Sequence, residues 1–158
     1  SVGHIVMPHY HRPGATFREY VFKKDHYLYE FGHGLSYTTF EYDNLKIPAS
    51  IQKNTPLKIK VDVSNTGERE GDETVFVYVN DLVSSVTTPV KKLKAFKKVH
   101  LKAGETKTVE LDIPYNELGL YNLNMEYVIE QGDFEIYVDE LSKTFKVKNY
   151  VDQKTAIQ

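Results

Sequence analysis

The sequence has 158 residues, of which 41% are hydrophobic and 27% are charged, and both fractions are typical of one globular domain that buries its own core. Twenty Lys and Arg against 22 Asp and Glu give a net charge of −2, which gives no support to a polyanion or an anionic membrane as a partner. The lack of Cys excludes disulfides, thiol nucleophiles and thiolate metal sites, and no apolar run reaches the roughly 18 residues of a membrane-spanning helix.

The first 35 residues differ from the rest of the chain. They hold five of the six His and show no sustained alternation of apolar and polar residues. Because such a segment buries little by itself, we expect residues 1–35 to form an extended arm that lies on the rest of the chain or on a neighbouring domain. Without such a domain, its apolar side chains would promote self-association, and so a homodimer. These side chains are Ile5, Val6, Met7, Phe17, Tyr20, Val21 and Phe22.

Short alternating runs predict β-strands from residue 40 onwards. Residues 57–63 alternate strictly, which indicates a half-buried strand, whereas residues 74–80 are apolar on both faces, which indicates a central one. Residues 40–47 predict a first strand with a bulge, and residues 114–120 fit a single helical turn. Further strands are predicted at residues 90–101, 109–113, 125–129, 134–138 and 145–147.

About seven short strands with turn residues between them predict an all-β fold, an antiparallel β-sandwich of the immunoglobulin or fibronectin III type. We place this sandwich at residues 36–148, between the extended N-terminal arm and a polar tail at residues 149–158. Sandwiches of this kind host many unrelated functions, so the function has to be argued from particular residues.

Two clusters of side chains are candidate metal ligands. The His of the arm are good zinc ligands, but a structural zinc site has four ligands and no Cys is available. Acidic residues beside a turn are suited to calcium, but their spacing does not fit an EF-hand loop. We interpret the first cluster as part of a domain seam and the second as solvated surface, so no metal site is predicted. The clusters are His4, His9 and His11, and Glu68, Glu70, Asp72 and Glu73.

Lysines between residues 90 and 109 are the best indication of a site for nucleic acid or another polyanion. Apolar residues interleave with them, however, and lysines on edge strands discourage pairing with other chains. A structural role is therefore favoured, and no nucleic-acid partner is predicted. The lysines are Lys91, Lys92, Lys94, Lys97, Lys98, Lys102 and Lys107.

Tyrosines outside the clearest strands are candidates for stacking on sugar rings, although the chain lacks Trp. Packing against a neighbouring domain explains those of the arm equally well. Weak carbohydrate contact therefore stays an alternative, carried by Tyr10, Tyr20, Tyr27, Tyr29, Tyr37, Tyr115, Tyr121 and Tyr150. The sequence has no setting for a serine nucleophile and no glycine-rich phosphate loop, so no catalytic or cofactor-binding residue is assigned.

Residues 28–40, Leu-Tyr-Glu-Phe-Gly-His-Gly-Leu-Ser-Tyr-Thr-Thr-Phe, resemble the linker that precedes the C-terminal domain in glycoside hydrolase family 3. The family pattern has Pro and Tyr where this chain has Glu30 and His33, and it agrees at the glycines and at Leu-Ser-Tyr-Thr. Similar segments follow at residues 65–67, 71–73, 77–79, 89–96, 101–106 and 132–136. The resemblance marks an interdomain linker motif of Tyr29, Phe31, Gly32, Gly34, Leu35, Ser36 and Tyr37.

The resemblance implies a non-catalytic fibronectin-III-like domain that packs on and stabilises catalytic domains of the same polypeptide. In that family a retaining β-glycosidase hydrolyses terminal β-linked glucosyl or xylosyl residues, and its Asp nucleophile and Glu acid/base lie in the preceding domains. The resemblance also implies no cofactor and a periplasmic or secreted location. We hypothesise that the loop from Asp81 to Thr88 reaches the active site of such a domain. An independent carbohydrate-binding module and an immunoglobulin-like protein-interaction domain stay as alternatives.

Overall fold

The computed structural model describes residues 36–86, 88 and 91–148, and within them the predicted all-β sandwich is confirmed. The elements are β1 Phe40–Lys46, β2 Ser50–Gln52, β3 Leu57–Asn65, β4 Gly71–Asp81, β5 Lys92–Leu101, β6 Thr106–Ile113, a 3₁₀ helix Tyr115–Leu118, β7 Leu120–Tyr121, β8 Tyr127–Val128, β9 Gly132–Val138 and β10 Leu141–Lys148. The predicted arm and tail lie outside the described residues, so the domain boundaries stay predictions.

The strands form two packed sheets and a small hairpin. One sheet has three strands in the order β1-β3-β6, and the other has five in the order β2-β10-β9-β4-β5. β7 and β8 pair with each other as a separate two-stranded hairpin. Each of these pairs is antiparallel except β2 with β10, which is parallel. The sandwich thus differs from the predicted antiparallel arrangement at one edge of the five-stranded sheet, where β2 is parallel to β10.

A bulge in β1 lies shortly before the chain crosses to the other sheet. The register of β1 against β3 shifts between Asp43 and Lys46, where Asn44 has a φ of 53°. This is the predicted bulge, and such an irregularity bends the strand. The chain then enters the five-stranded sheet as β2, beside β10. Because β2 has three residues, it is too short for its alternation to be predicted from the sequence.

Side chains from both sheets form one core. In β3, every second residue from Leu57 to Val63 is at most 1% exposed, as the strict alternation predicted. β4 lies between β9 and β5, which confirms its central position, although Phe76 on its second face is only partly buried. Phe134 of β9 and Phe145 of β10 stack inside the core with ring centroids 5.6 Å apart.

The segment after β6 differs in part from the prediction. The predicted helical turn is confirmed as the 3₁₀ helix, whose Tyr115 and Leu118 are buried. The strand predicted at residues 125–129 is reduced to the two residues of β8, because Met125 has a φ of 61° and belongs to the hairpin turn. None of the described residues forms a helix that is long and apolar enough to cross a membrane.

The sandwich has two ends, which we call the linker end and the distal end. At the linker end, Phe40 of β1 pairs with Asn65 of β3. At the distal end, Leu57 of β3 pairs with Ile113 of β6. The nine residues of β3 separate the two ends by about 27 Å, since a strand rises about 3.4 Å per residue.

Candidate interdomain site

The chain enters the sandwich at the linker end, through the last residues of the predicted linker motif. Ser36 and Tyr37 are described, whereas Tyr29, Phe31, Gly32, Gly34 and Leu35 lie outside the described residues. Ser36 Oγ accepts a hydrogen bond from Thr38 N at 3.3 Å. Tyr37 is 90% exposed, and the next residue, Thr38, is 8% exposed. The chain therefore passes from solvent into the domain interior between Tyr37 and Thr38.

Thr38 is held by the side chain of Asn65, which is 1% exposed at the end of β3. Asn65 Oδ1 accepts hydrogen bonds from Thr38 Oγ1 at 2.5 Å and from Gly67 N at 3.1 Å. Asn65 Nδ2 donates to Arg69 O at 2.7 Å and to Leu101 O at 3.2 Å. All four hydrogen-bonding positions of the amide are thus used. We call this arrangement the Asn65 hub.

Backbone hydrogen bonds bring three segments of the chain together around the hub. Thr66 N donates to Thr39 O at 2.9 Å, which fixes the linker against the turn after β3. Asn65 N donates to Glu105 O at 2.9 Å, and Gly104 N donates to Asn65 O at 3.0 Å, which adds the turn between β5 and β6. The linker is therefore fastened to the turn after β3, and Asn65 in turn binds the turn between β5 and β6.

Two glycines let the linker backbone lie close to the turn after β3. A Cβ on Gly67 would overlap Thr38 Oγ1 and would lie 3.0 Å from Thr39 N. A Cβ on Gly71 would lie 2.7 Å from Thr38 Cγ2. Neither approach leaves room for a side chain. The segments at residues 65–67 and 71–73, which resemble the family, thus carry the residues that seat the linker.

The described residues of the site can hold a chain, and none of them forms a reactive pair of groups. Asn65, Thr38 and Thr39 are neutral, and their hydrogen bonds are satisfied within the domain. Tyr37 presents a large apolar ring with a polar hydroxyl to the outside, which is the type of side chain enriched at protein interfaces. The linker end can therefore fix and orient a neighbouring domain.

A hydrogen bond between the sheets lies just beyond the hub. Tyr42 of β1 donates its hydroxyl proton to Glu73 Oε1 of β4 at 2.7 Å. Burial raises the pKa of the Tyr42 phenol well above its ordinary value, and the hydrogen bond to Glu73 raises it further. The neutral phenol is thus the form that the folded state favours.

Alkaline pH should therefore destabilise the fold through Tyr42. A raised pKa in the folded state contributes stability that is fully present below the unfolded value of about 10 and is lost as the pH rises above it. Between about pH 8 and about pH 11, we expect Tyr42→Phe to lose roughly 1 kcal/mol less of its unfolding free energy than the unmodified chain, after allowance for partial solvent screening.

Urea titrations across that range measure the pH dependence. Glu73→Gln keeps an acceptor for Tyr42 but removes the negative charge, so its slope is expected to lie between those of the other two chains. Equal slopes for Tyr42→Phe and the unmodified chain would contradict the assignment. Tyr115, Tyr127 and Tyr137 also have raised pKa values, because of burial above all, and they maintain part of the slope in every variant.

Several lysines of β5 and β6 bind or pack within the sandwich. β5 is an edge strand of the five-stranded sheet, and β6 is an edge strand of the other sheet. Lys97 Nζ donates to Glu110 O at 3.1 Å, and Lys107 Nζ donates to His100 O at 2.7 Å. Each lysine thus binds a backbone carbonyl on the edge strand of the other sheet. Lys94 is half-buried, and this burial lowers its pKa. Its aliphatic stem therefore also packs against the domain.

The acidic cluster beside the turn also has partners. Asp72 Oδ2 lies 2.8 Å from Lys98 Nζ, and Asp72 Oδ1 lies 2.8 Å from His100 Nδ1. The hydrogen bond from Lys98 is the main cause that lowers the pKa of Asp72. Within the described residues, no three His, Asp or Glu side chains converge to hold a metal ion. His4, His9 and His11 lie outside those residues.

The candidate tyrosines for sugar stacking that the structure describes differ in exposure and lie in different parts of the domain. Tyr115 is buried at 9% exposure, whereas Tyr121 is 61% exposed in the β7–β8 hairpin. The five others, apart from Tyr37, lie outside the described residues: Tyr10, Tyr20, Tyr27, Tyr29 and Tyr150. The described tyrosines at the linker end and in the hairpin thus belong to different parts of the surface.

The loop after β4 is tied down at the distal end. Leu82 N donates to Asp133 O at 3.1 Å, and Ser85 N donates to Glu130 Oε2 at 2.9 Å. Ser85 Oγ donates to the second oxygen of Glu130. The hypothesis that the loop from Asp81 to Thr88 reaches the active site of a neighbouring domain stays a prediction.

The sequence interpretation missed the role of Asn65. Asn-Thr-Gly after a strand is typical of an exposed turn, and residues 65–67 are interpreted as such a turn and as one of the segments that resemble the family. Its partners Thr38 and Leu101 are 27 and 36 residues away in the sequence, so no local pattern could connect them.

Sheet order, register and the linker-end geometry define a fibronectin type III-like β-sandwich domain. Residues 73–142 match the family model described as the fibronectin type III-like domain. The chain therefore belongs to this family, and it corresponds to the non-catalytic, C-terminal domain of glycoside hydrolase family 3 proteins, as its relatives show.

Two relatives and one solved structure illustrate the similarity. A β-xylosidase of Formosa agariphila is 40% identical over 152 residues, which are 94% of this chain and 21% of that protein. A periplasmic β-glucosidase of Salmonella typhimurium is 40% identical over 112 residues, which are 70% of this chain and 15% of that protein. A β-glucosidase structure from Erythrobacter marinus superposes with a TM-score of 0.81 at 32% identity, covering 89% of this chain and 19% of that one. The chain thus spans about a fifth of the length of such proteins.

Proposed function

We propose that this chain is the accessory domain of a retaining β-glycosidase, and that it packs on and stabilises the catalytic domains of the same polypeptide. The whole protein then hydrolyses terminal β-linked glucosyl or xylosyl residues. The observation that carries the proposal is the Asn65 hub, which fixes the incoming linker to the end of β3, binds the end of β5 as well, and leaves Tyr37 projecting outwards. Relatives that are 40% identical to the chain are named β-xylosidase and β-glucosidase.

The chemistry of the described carboxyl groups supports a role without catalysis. Retaining hydrolysis uses two carboxyl groups about 5 Å apart, one of which has a raised pKa and protonates the leaving group. Asp81 has a pKa raised by burial, with a contribution from Glu130. Glu130, however, binds Ser85 through both of its oxygens, and Asp81 Oδ2 is buried. Neither group is placed to act on a sugar.

The compartment and the further partners are part of the same proposal. One relative is named a periplasmic β-glucosidase, which supports a periplasmic or secreted location. The proposed partner is the set of catalytic domains in cis. Exposed Tyr37 and Tyr121 are the described tyrosines through which weak carbohydrate contact or a homodimer would form. Binding of polysaccharide by this chain alone, lost on replacing Tyr121, would instead favour a carbohydrate-binding module.

Removal of the sandwich from the longer protein tests the stabilising role. We expect deletion of residues 36–158 to shorten the half-life of aryl β-glycosidase activity at elevated temperature by at least about tenfold, equivalent to about 1.4 kcal/mol of activation free energy. A Tyr37→Ser variant of the longer protein, which removes one exposed ring, should show a smaller change in the same direction. An unchanged half-life after the deletion would contradict the proposal.

A further inference from the structure

The β7–β8 hairpin has a turn that is tightly organised by one side chain. Asn122 Oδ1 accepts hydrogen bonds from Asn124 N at 2.9 Å and from Glu126 N at 3.0 Å. Asn122 Nδ2 donates to Glu126 Oε2 at 3.0 Å, and Met125 N donates to Asn122 O at 3.0 Å. A turn with this many internal hydrogen bonds holds one conformation.

The base of the hairpin is equally well fixed. The Tyr127 hydroxyl donates to Asn116 O of the 3₁₀ helix at 2.5 Å. Its ring packs edge-on against Tyr121, with ring centroids 5.2 Å apart, and covers Gly119. A Cβ on Gly119 would lie 2.5 Å from Tyr127 Cζ, so the ring needs a glycine beneath it. The hairpin is thus a rigid projection on the 3₁₀ helix.

This rigid turn presents two apolar side chains to solvent. Leu123 is 87% exposed and Met125 is 77% exposed. None of the internal hydrogen bonds uses these two side chains, so the turn does not need apolar residues for its own conformation. Two apolar groups held in one conformation are suited to contact another surface, and Met is enriched at protein interfaces.

The hairpin lies at the opposite end of the sandwich from the Asn65 hub. It is inserted between Ile113, where β6 ends at the distal end, and Gly132, where β9 begins. A domain that is held only by its linker turns about that point. A second contact about 27 Å away, the length of β3, limits this rotation far more than one beside the linker.

We propose that the tip formed by Leu123 and Met125 docks on the catalytic part of the same polypeptide and is the second attachment that orients this domain. The inference rests on the proposed function. Two side chains provide only a small fraction of the roughly 1,200 Å² or more that a stable complex between free proteins buries. They suffice for a tethered partner, because a linker raises the effective concentration to about the millimolar range.

A protein is favoured over a sugar as the occupant. Leu123 and Met125 at the tip have no flat ring on which a pyranose could stack, and the rings of Tyr121 and Tyr127 at the base pack edge-on against each other. The nearest amide, Asn122, uses its side chain inside the turn and does not offer it to sugar hydroxyls. The relatives extend to about five times the length of this chain, so a covalently linked surface is available to cover the tip.

Oxidation of Met125 by hydrogen peroxide tests the docking without measuring activity. The rate of sulfoxide formation follows the exposure of the sulfur, and peptide mapping separates Met125 from Met7, the other Met of the chain. We expect Met125 to oxidise at least about tenfold more slowly in the longer protein than in this chain alone. Leu123→Ser in the longer protein should restore most of the rate, whereas Phe96→Ser, which alters a 68% exposed ring on β5, should not.

Each other outcome overturns the inference. Equal rates in the two proteins would show that nothing covers the tip. Protection of Met125 in this chain alone as its concentration rises would assign the tip to a second copy, and protection by added gluco- or xylo-oligosaccharides would assign it to a sugar. Aryl β-glycosidase activity of the longer protein is measured in the same samples: equal oxidation rates in an active protein overturn only the docking, whereas an inactive protein overturns the proposed function.

Discussion

Replacing Asn65 with Ala is expected to lower the free energy of unfolding of this chain by about 3 kcal/mol. The substitution removes the partners of Thr38 Oγ1, Gly67 N, Arg69 O and Leu101 O at once. Two of these bonds, those to Thr38 and Leu101, are buried, and an unsatisfied buried polar group costs about 1–3 kcal/mol. The other two groups are partly buried and can exchange the lost bond for water.

Thr66→Ala is the matched control for this substitution. Thr66 is adjacent in the sequence, and its hydroxyl contacts Thr39 Oγ1 at the exposed surface. A surface substitution of this kind is expected to change the free energy of unfolding by no more than about 0.5 kcal/mol. Urea denaturation followed by circular dichroism measures both variants, since the chain has no Trp for fluorescence. Similar effects of the two substitutions would show that the hub does not stabilise the fold.

Gly67→Ala should destabilise the chain by about 2–3 kcal/mol, through overpacking rather than through lost bonds. The new methyl group would overlap Thr38 Oγ1 and would press on Thr39 N at 3.0 Å. Since one of these neighbours is backbone, the linker has to move and the hydrogen bond from Thr38 to Asn65 is strained. The same denaturation experiment detects the change.

Gly132→Ala provides the comparison for Gly67→Ala. Gly132 opens β9, has no atom within 4 Å of its prospective Cβ and has no positive φ. Its replacement is expected to lie within about 0.5 kcal/mol of the unmodified chain, or to stabilise it by restricting the unfolded state. If Gly67→Ala changes the free energy of unfolding as little as Gly132→Ala does, the linker does not pack closely against Gly67 as described.

Much of the fold was predictable because strand patterns are local. The alternation from Leu57 to Val63 places every second side chain on one face of the strand, independently of distant residues. β3 has this alternating burial. The bulge at Asn44 and the 3₁₀ helix at Tyr115–Leu118 were likewise marked by the residues that form them. β2 was not predictable, because it consists of three residues that pair with β10, almost a hundred positions later.

The candidate site was predictable only in its location. The linker motif indicated the end of the domain that receives the chain, and Tyr37 and Thr38 show where it enters. The hub itself depends on hydrogen bonds from Asn65 to both Thr38 and Leu101, and these residues come together only in the folded structure. The exposure of Met125 is likewise hidden, since the sequence predicts a strand at residues 125–129, and no pattern in the sequence marks Leu123 as exposed.

The lysines show why charge density has to be weighed against the apolar residues between the charges. Their density between residues 90 and 109 is the best indication of a polyanion site, but the sequence favours a structural role, and Lys97 and Lys107 bind carbonyl groups of the edge strands. Lys92 and Lys94 are half-buried, and burial lowers the pKa of both. Side chains that bind the open edges of a sheet restrict its pairing with another chain.

Turnover of aryl β-glucosides and β-xylosides by this purified chain, beside the longer protein that carries the upstream domains, tests the central claim most directly. Hydrolysis by the longer protein alone is the expected result, because the two carboxyl groups of a retaining mechanism are placed in the upstream domains under the proposed function. Hydrolysis by the 158-residue chain itself would contradict the account and would assign catalysis to carboxyl groups within this sandwich or its arm.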